Sequence, residues 1–285
     1  MTEIFYKTAG DMAAKSLKHR ALLPMLLICY AGLFWLTAAA SAGPEKVMIL
    51  FYSAEANINN FKPLKTEFDT YLLKSGNYEF QPFSDRETFE QYIKEKDKCL
   101  LFLSSWHYRN IYKSYALNPF LVGIKNGKKH QKRVLVTKSA DLKSVAKGTI
   151  ASASDVQHSR SVLKEILGDE TAANSARILT VPKDIDALMS VGFEMSKAAL
   201  ITESALKDLE KRDPSLHKKI KILAEGKASF LPVLAVPDEF VKNAEKVIEI
   251  IKSMPGDSNG MNAIKMLGLD GWEPVDPSDK SKLEG

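Results

Sequence analysis

The sequence has very few cysteines: Cys29 and Cys99 are the two thiols in 285 residues. Cys29 lies in an N-terminal apolar stretch, and removal of that stretch would leave Cys99 without a partner for an intramolecular disulfide. The fold must therefore depend on its hydrophobic core, which the 45% of apolar residues can build. Cys99 belongs to the apolar run "CLLFL", so we expect it to be a buried structural residue rather than a nucleophile.

A strong net charge is also absent. The formal charge is +5, and the first 42 residues carry four cations and two carboxylates, which leaves about +3 for the rest of the chain. That excess is too small to argue for nucleic-acid binding. The densest basic run, "KNGKKHQKR" at 125–133, contains Asn126-Gly127 between two apolar runs, a pattern typical of a β-hairpin turn. We interpret its cations as a solvated surface.

Common enzyme motifs are missing from the sequence. It contains no G-x-S-x-G nucleophile elbow, no G-x-x-x-x-G-K-S/T phosphate loop, no G-x-G-x-x-G dinucleotide motif and no H-E-x-x-H zinc motif. A convergent acid–base site is not excluded by this, but no pattern argues for one. The sequence therefore predicts a protein that is not an enzyme, and it points to no cofactor.

The N-terminus has the layout of an export signal. A basic stretch precedes the apolar run "ALLPMLLICYAGLFWLTAAASA", which ends in small residues, and cleavage is expected after Ala42. The apolar run is about 20 residues long, so residues 21–40 could also stay attached and anchor the chain in a bilayer. Met12 would be a more usual start than Met1 for such a leader. We expect residues 1–42 to be a signal peptide or an N-terminal membrane anchor.

Beyond this segment, short apolar runs alternate with amphipathic stretches. "KVMILFYS", "CLLFL" and "KAALITE" are examples of predicted buried strands, whereas "DEFVKNAEKVIEIIKSM" places its apolar residues on one face of a helix. Strands that alternate with helices predict parallel sheets in an α/β fold. Two such blocks of about 90 residues each suggest two lobes, followed by a polar tail.

Polar and aromatic clusters follow four of the predicted strands. In open α/β sheets the ligand lies beyond the carboxyl ends of the strands, so these clusters are candidate walls of a cleft between the lobes. Trp106 and Tyr108 are the most informative, because aromatic side chains at a strand end can form one wall of a pocket. The clusters contain Tyr52, Ser53, Glu55 and Asn57; Ser104, Ser105, Trp106, His107 and Tyr108; Ser152, Ser154, His158 and Ser159; and Thr202, Glu203 and Ser204.

Other roles compete with this interpretation. Polar residues after strands often cap helices, and the two aromatic residues could be ordinary core residues. His107 and His158 could face one another as metal ligands, but no third ligand is evident, and we predict no metal site. A hydrolase would need a histidine paired with a serine, for which His158 with Ser154 or Ser159 is the candidate.

The stretch "GTIASASDVQHSRSVLKEILG" combines a strand, a turn of small residues and a helix. Free N–H groups at the start of a helix, together with the hydroxyls of Ser152, Ser154 and Ser159, suit an oxyanion. Asp155 lies at the predicted start of this helix, however, where its carboxylate can satisfy the helix dipole and would repel a phosphate. The turn also has no glycine that would let the backbone approach a ligand closely. The stretch therefore has the strand–turn–helix layout of an anion-binding turn, but it lacks the glycine and carries a carboxylate at the helix start.

Five segments resemble, in their order along the chain, the phosphate/phosphite/phosphonate substrate-binding proteins of ABC importers, a PhnD-like family. They are "YSAEANINNFKPLKTEF", "LLFLSSWHY", "GTIASASDVQHSRSVLKEILG", "VPKDIDALMSVGFEMSKAALITES" and "MPGDSNGMNAIKMLGLDGWEPVD". The resemblance covers residues 45–280. It implies the type II periplasmic-binding-protein fold, with two α/β lobes, each a mostly parallel sheet flanked by helices, joined by two crossover strands. The lobes would be 44–136 with 231–285, and 137–230.

The resemblance also implies a set of ligand contacts across the cleft. Phosphonate binders of this family carry a Ser/Thr-rich turn with a glycine where this sequence has Ser152-Ala153-Ser154-Asp155. The pocket is therefore expected to take a different small polar solute, or a more apolar one against the aromatic wall. The expected contacts are Tyr52, Ser104, Ser105, Trp106, His107 and Tyr108 from the first lobe, and Ser152, Ser154, His158, Ser159 and Glu203 from the second.

The function that follows is a periplasmic solute-binding protein. It would be a monomer that captures an oxyanion or another small solute in the cleft for an inner-membrane transporter, free in the periplasm or anchored by residues 21–40. Hinges are expected at 136–139 and 229–232. The alternative is a membrane-anchored sensory or accessory protein that uses the same clamp to dock on a protein partner. A cleft filled by its own side chains would support that alternative.

Overall fold

The computed structural model describes the chain from Lys46 to Gly285 apart from five short gaps. The expected signal peptide or anchor, 1–42, lies outside the described residues. Within them, no helix is both long enough and apolar enough to span a bilayer. The described ranges are 46–55, 61–96, 98–138, 141–142, 145 and 147–285.

Six strands form the first sheet. They are β1 (Val47–Tyr52), β2 (Tyr78–Pro82), β3 (Cys99–Leu103), β4 (Leu117–Ile124), β10 (Val233–Pro237) and β11 (Gly271–Pro274). Their spatial order is β11-β4-β10-β3-β1-β2, and β1 is parallel to both β2 and β3. β10 is antiparallel to β3 and to β4, and β11 is antiparallel to β4.

Helices cover both faces of the first sheet, which is why the strand β3 is buried along its whole length. One face packs against α1 (Phe61–Leu72), α9 (Val241–Lys252) and α10 (Ser258–Met266). The other face packs against α2 (Arg86–Glu95), α3 (Ser105–Ile111) and α11 (Pro277–Glu284). Cys99 is buried within this second core, as the sequence predicts.

Five strands form the second sheet, in the spatial order β7-β6-β8-β5-β9. They are β5 (His130–Thr137), β6 (Thr149–Ser152), β7 (Arg177–Thr180), β8 (Ala198–Thr202) and β9 (Lys221–Phe230). β6 is parallel to β7 and β8, whereas β5 is antiparallel to β8 and β9. One face packs against α4 (Val156–Leu167) and α5 (Glu170–Ser175). The other packs against α6 (Asp184–Gly192), α7 (Glu203–Arg212) and α8 (Pro214–His217).

The α/β fold class with two sheets is confirmed, but both sheets are mixed rather than mostly parallel. Parallel pairing is confined to the strand–helix–strand units, where the crossover helix brings the next strand back in the same direction. Strands β4, β5, β9, β10 and β11 arrive by other connections and pair antiparallel. The periodicity of the sequence identifies a strand but carries little information on its direction.

The Asn126-Gly127 hairpin turn is present as predicted, but the two strands that it joins do not pair with each other in one sheet. Asn126 and Gly127 adopt φ values of 51° and 69°, and Lys125 and Lys128 form an isolated antiparallel bridge around them. The two strands then separate, since β4 belongs to the first sheet and β5 to the second. The chain therefore passes between the sheets at 125–129, before the predicted lobe boundary at 136/137. It returns between Phe230 at the end of β9 and Val233 at the start of β10.

The C-terminal segment is a packed helix rather than a polar tail. Asp276 caps α11 by accepting a hydrogen bond from the N–H of Asp279, and Pro277 stands in the first turn. Leu283 is fully buried against the helix α3 side of the first sheet. The Arg109 guanidinium donates to the carbonyl oxygen of Leu283 at 3.2 Å. The segment has few apolar residues, so the sequence does not indicate that Leu283 packs it against the first sheet.

Candidate functional site

The carboxyl ends of β1 and β6 meet between the two sheets. The Tyr52 hydroxyl donates a 2.9 Å hydrogen bond to Oδ2 of Asp155, and the backbone N–H of Asp155 donates to the carbonyl oxygen of Ala54 at 2.9 Å. Burial, and then the nearby Asp155 carboxylate, raise the pKa of Tyr52 above its ordinary value. These contacts join the segment after β1 to the turn before α4.

Asp155 also occupies the position where the N-terminus of α4 would hold an anion. Its Oδ1 atom accepts a 2.6 Å hydrogen bond from the backbone N–H of His158, so the carboxylate is the N-cap of the helix. The helix ends at Gly168, whose φ of 64° lies in the left-handed region that glycine adopts without strain. The anion at this helix start is thus supplied by the chain itself.

The three serines of the turn lie together, and their hydroxyl groups bond within the protein. Ser159 donates to Oγ of Ser152 at 2.9 Å, and the backbone N–H of Ser154 donates to the same oxygen at 3.2 Å. The Ser154 hydroxyl donates to the carbonyl oxygen of Glu55 at 3.3 Å. All three side chains are buried. The serine hydroxyls thus bond to one another and to the backbone after β1. Neither Ser154 nor Ser159 donates to His158, so the serine–histidine pair that a hydrolase would need is not formed.

Four side chains form what we call the buried charge cluster: Glu55, Arg133, His158 and Asp184. The Arg133 guanidinium donates from Nη2 to the carbonyl oxygen of Glu55 at 2.8 Å. The same atom lies 3.9 Å from Oε2 of Glu55, and Nη1 lies 4.0 Å from Oδ1 of Asp184. Nε2 of His158 lies 4.0 Å from Oε1 of Glu55. Glu55, Arg133 and His158 are each more than nine-tenths buried.

Burial shifts the protonation of this cluster toward neutral forms. It raises the pKa of Glu55 to about 7, although the Arg133 charge opposes the rise. The nearby Asp155 and Asp184 carboxylates add to the increase. The pKa of His158 lies well below its ordinary value because the ring is buried and Arg133 is close, so the imidazole is neutral at pH 7.

Several polar atoms of the cluster have no hydrogen-bond partner among the residues that the structure describes. They are Oε1 of Glu55, Nε and Nη1 of Arg133, and Nδ1 of His158. A buried polar atom that lacks a partner costs about 1–3 kcal/mol, and more when it is charged. The cluster therefore offers unused donors and an unused acceptor to a small polar molecule.

Trp106 forms one wall beside the cluster. Its indole N–H donates to Oγ of Ser161 at 3.1 Å, and its ring meets the His158 ring edge to face with centroids 5.3 Å apart. The side chain is half-buried. Among the predicted contacts, the structure thus brings together Tyr52, Trp106, Ser152, Ser154, His158 and Ser159.

His107 and Tyr108 point into the core between the first sheet and the helices α2, α3 and α11. Nε2 of His107 lies 2.9 Å from Oε1 of Glu90, and burial lowers the pKa of this histidine. The Tyr108 hydroxyl lies 3.0 Å from Oε1 of Glu284 on the C-terminal helix. Both belong to α3, whose other face points toward the junction. Within the described part of the chain, no group of three or more His, Cys, Asp or Glu residues could hold a metal ion.

The remaining predicted contacts have structural roles or lie on the surface. Ser104 caps α3 by accepting from the N–H of His107, and the Ser105 hydroxyl donates to the carbonyl oxygen of Phe230 at 2.7 Å. Glu203 begins α7, is partly exposed, and pairs with Lys207 at 2.8 Å. Among the described residues, none of these three forms a hydrogen bond or an ion pair with the buried charge cluster.

Arg133 and Asp184 are the functional candidates that the sequence interpretation missed. Arg133 is hidden at the end of the basic run 125–133, whose other cations favour a solvated surface. The signal that distinguishes it is its position directly before the apolar residues "VLVT" of β5. Asp184 begins α6 and accepts from both the N–H and the hydroxyl of Thr202, a typical capping position that conceals its nearness to Arg133.

A family model described as "ABC transporter, phosphonate, periplasmic substrate-binding protein" matches residues 47–280. The chain also resembles solved structures at low identity. A Xanthomonas citri protein bound to ATP is 14% identical, with a TM-score of 0.62, 84% of this chain covered and 95% of the other. A binding protein component of an ABC phosphonate transporter from Pseudomonas aeruginosa is 13% identical, with a TM-score of 0.59 and coverages of 84% and 86%.

PhnD1 from Prochlorococcus marinus in complex with methylphosphonate has a TM-score of 0.59 and 11% identity, with coverages of 85% and 96%. At these identities the likeness shows a shared fold, that of the type II periplasmic binding proteins. No curated protein matches the chain by sequence.

Proposed function

The chain belongs to the periplasmic phosphonate substrate-binding proteins of ABC transporters, and we propose that it binds a small solute at the buried charge cluster. The family consists of binding proteins rather than enzymes, and it implies a periplasmic location and a membrane transporter as partner. The observation that carries the proposal is the set of buried, unpartnered atoms on Glu55, Arg133 and His158. A ligand that pairs them recovers free energy that the protein alone leaves unused.

The charges of the site limit the chemistry of this solute. Arg133 supplies one cation, which suits a single oxyanion group through its planar guanidinium. The carboxyl groups of Glu55 and Asp184 lie close to Arg133, and that of Asp155 is close enough to raise the pKa of Glu55. They disfavour a solute whose net charge is strongly negative. We therefore propose a solute that combines one oxyanion with an amine or hydroxyl donor for Glu55.

The anion subsite in this proposal differs from a helix N-terminus. The start of α4 is already capped by the carboxylate of Asp155, which also bonds to Tyr52. A second anion at that position would be repelled. We propose that the unused N–H groups of Arg133 on β5 bind the anion instead of the N–H groups at the start of α4. The turn before α4 would then help to close the site instead of binding the anion.

Closure of the site is proposed to be a movement of two lobes, each consisting of one sheet with its helices. The connections at 125–129 and 231–232 would act as hinges, because a few residues between rigid sheets can absorb the change in backbone angles. The Tyr52–Asp155 and Trp106–Ser161 hydrogen bonds would stabilise the closed form.

A thermal-shift screen tests the proposed function. The panel holds phosphate, methylphosphonate, aminoalkylphosphonates and amino acids. A solute at 100 times its Kd stabilises the folded state by about 2.7 kcal/mol, which moves the Tm by roughly 5–10 °C for a chain of this size. We expect the largest shift from a solute with one oxyanion and one amine. If every member of the panel leaves the Tm unchanged, the proposal fails.

Two tyrosine variants test which aromatic residues belong to the site. Y52F removes the hydrogen bond to Asp155 and should weaken solute binding about fivefold, because the closed form loses about 1 kcal/mol. Y108F removes a hydrogen bond of the same kind on the far side of α3 and should leave the Kd unchanged. Calorimetric titration of both proteins measures the difference. Equal Kd values for the two variants would remove Tyr52 from the site.

One observation favours a second function, docking on a protein partner. The junction between the sheets is already bridged by the chain's own groups, including Tyr52 with Asp155, Trp106 with Ser161, and Arg86 with Gln157. A two-lobed protein whose closed form is held by its own hydrogen bonds can present a fixed surface to a protein partner without binding a solute. This function predicts that no solute raises the Tm and that the Y52F variant exposes the junction to hydrogen exchange.

A further inference from the structure

The end of the second sheet that lies away from the buried charge cluster carries a surface with no part in solute binding. The strand register aligns the strand ends at this side of the sheet, namely Thr137, Thr149, Arg177, Ala198 and Lys221. Arg133 and Ser152 lie at the opposite ends of their strands. We call the surface formed at this end by Lys138, Lys147, Arg177, Phe193, Met195, Lys197 and Lys221 the distal surface.

Each of the five strands contributes one exposed cation to the distal surface. They are Lys138 after β5, Lys147 before β6, Arg177 at the start of β7, Lys197 before β8 and Lys221 at the start of β9. Lys138 lies 3.5 Å from Glu194. Among the described residues, the structure shows no ion pair for the other four. The edge therefore presents a row of positive charges that the protein leaves largely unpaired.

Most of the carboxylates near this end of the sheet already have partners within the protein. Glu170 pairs with Lys164 at 2.7 Å. Asp169 caps α5 and Asp213 caps α8, so both carboxylates accept backbone hydrogen bonds. Glu194, exposed beside Lys138, and Asp141, exposed on the connection after β5, are further carboxylates near the row. Among the described residues at this end, the charges without an ion pair or capping role are therefore mainly the cations Lys147, Arg177, Lys197 and Lys221.

Two large apolar side chains project from the same edge. Phe193 is 71% exposed and Met195 is 68% exposed, on the connection between α6 and β8. Glu194 between them has a φ of 62°, which is uncommon for a residue other than glycine. The turn is held by hydrogen bonds from the backbone N–H groups of Phe193 and Met195 to the carbonyl oxygens of Met189 and Ser190. The exposure is therefore a fixed property of this turn.

A cavity of about 230 Å³ opens beside Met195. Lys147, Arg177 and Lys197 line it together with Met195 and Glu194. Three cations around one small cavity suit a phosphate group, and Met195 at its rim suits an attached hydrocarbon chain. A free phosphate would make no use of the apolar rim.

We propose that the distal surface docks on a bilayer of anionic phospholipids. Phe193 and Met195 would insert at the level of the headgroups, and Lys147, Arg177 and Lys197 would surround one headgroup phosphate. Fixed apolar residues flanked by cations are the features that bind a protein to an anionic membrane surface. Each cation close to such a surface strengthens binding about fivefold. The inference is independent of what the buried charge cluster binds.

Vesicle flotation of the full chain tests the proposal. Vesicles of phosphatidylcholine alone are compared with vesicles that also contain about 30% phosphatidylglycerol, and the readout is the ratio of the two partition coefficients. We expect a ratio of at least tenfold, and a fall toward one in about 0.5 M salt. The K147E/R177E variant should lower the ratio toward one. The F193S/M195S variant should lower partitioning to the anionic vesicles about tenfold.

Matched variants on the helices that pack against the first sheet, or directly beside them, provide the controls. L73S removes an apolar side chain that is 69% exposed, and K242E/K246E reverses two exposed cations on α9. Both should bind anionic vesicles as the unaltered protein does. The proposal is overturned if the distal variants match these controls, or if the unaltered protein shows a ratio near one.

Two further outcomes would assign the surface to another ligand. An oligonucleotide that binds with the same sensitivity to K147E/R177E, while vesicles do not bind, would identify a polyanion site. Inorganic phosphate that binds in the cavity without any vesicle binding would identify a small-anion site. Either result overturns the membrane proposal.

Discussion

Replacing Arg133 with glutamine is expected to weaken solute binding about 30-fold or more. Removing one partner of a buried, hydrogen-bonded charge pair costs about 2–5 kcal/mol of binding free energy. Arg133 is 4% exposed, and its Nε and Nη1 atoms are the unused donors of the site. Calorimetric titration with the solute that gives the largest thermal shift measures the loss, and the Tm shows whether the variant folds.

Two variants sharpen this test. R133K keeps the charge but replaces the planar fork with a single ammonium group, so it should recover only part of the affinity. K132Q changes the preceding residue of the same strand, which is exposed and pairs with Glu225 at 2.8 Å, and it should bind like the unaltered protein. If R133Q folds and binds with an unchanged Kd, Arg133 is not the anion-binding group.

Replacing Glu55 with glutamine is expected to change the pH dependence of folding stability. The pKa of Glu55 is about 7 in the folded protein and about 4.5 as an ordinary glutamate. The folded state therefore holds the proton more tightly, so this contribution to stability is present below about pH 4.5 and is lost as the pH rises through 7. Glutamine cannot ionise. The stability of E55Q relative to the unaltered protein should rise by about 2–3 kcal/mol between pH 5 and pH 8.

Denaturant unfolding at several pH values measures this difference. His158 contributes a dependence of the opposite sign, since its lowered pKa makes the folded state lose stability as the pH falls. Because His158 lies 4.0 Å from Glu55, the two titrations are coupled, and the same comparison in an H158Q background removes the histidine contribution. E225Q, which removes an exposed carboxylate, is the control and should parallel the unaltered protein. A difference between E55Q and the unaltered protein that stays constant with pH would show that Glu55 titrates normally.

The sequence predicts the α/β class and the family because these depend on local patterns. Short apolar runs between amphipathic stretches identify β1, β3 and β8 directly, and the matching segments extend along most of the chain. The capping position of Asp155 is also readable from its place before α4. Such features depend on neighbours in the sequence, which is the information that a single chain carries.

Pairing between distant segments is what the sequence does not supply. The Asn126-Gly127 turn is correctly located, but nothing local indicates that β5 joins another sheet. Arg133 donates a hydrogen bond to Glu55, which lies 78 positions earlier in the chain. His107 and Tyr108 follow β3 as a ligand site would, yet the winding of α3 points them into the core. The candidate site is therefore only partly predictable.

The crystal structure of the protein with its preferred solute tests the central claim most directly. The account predicts that an oxyanion of the solute lies within hydrogen-bond distance of the Arg133 guanidinium, and that a donor group of the solute faces Glu55. The Tyr52–Asp155 hydrogen bond should be present in that complex. A solute bound at the start of α4, or elsewhere with the Arg133 donors still unpaired, would contradict it.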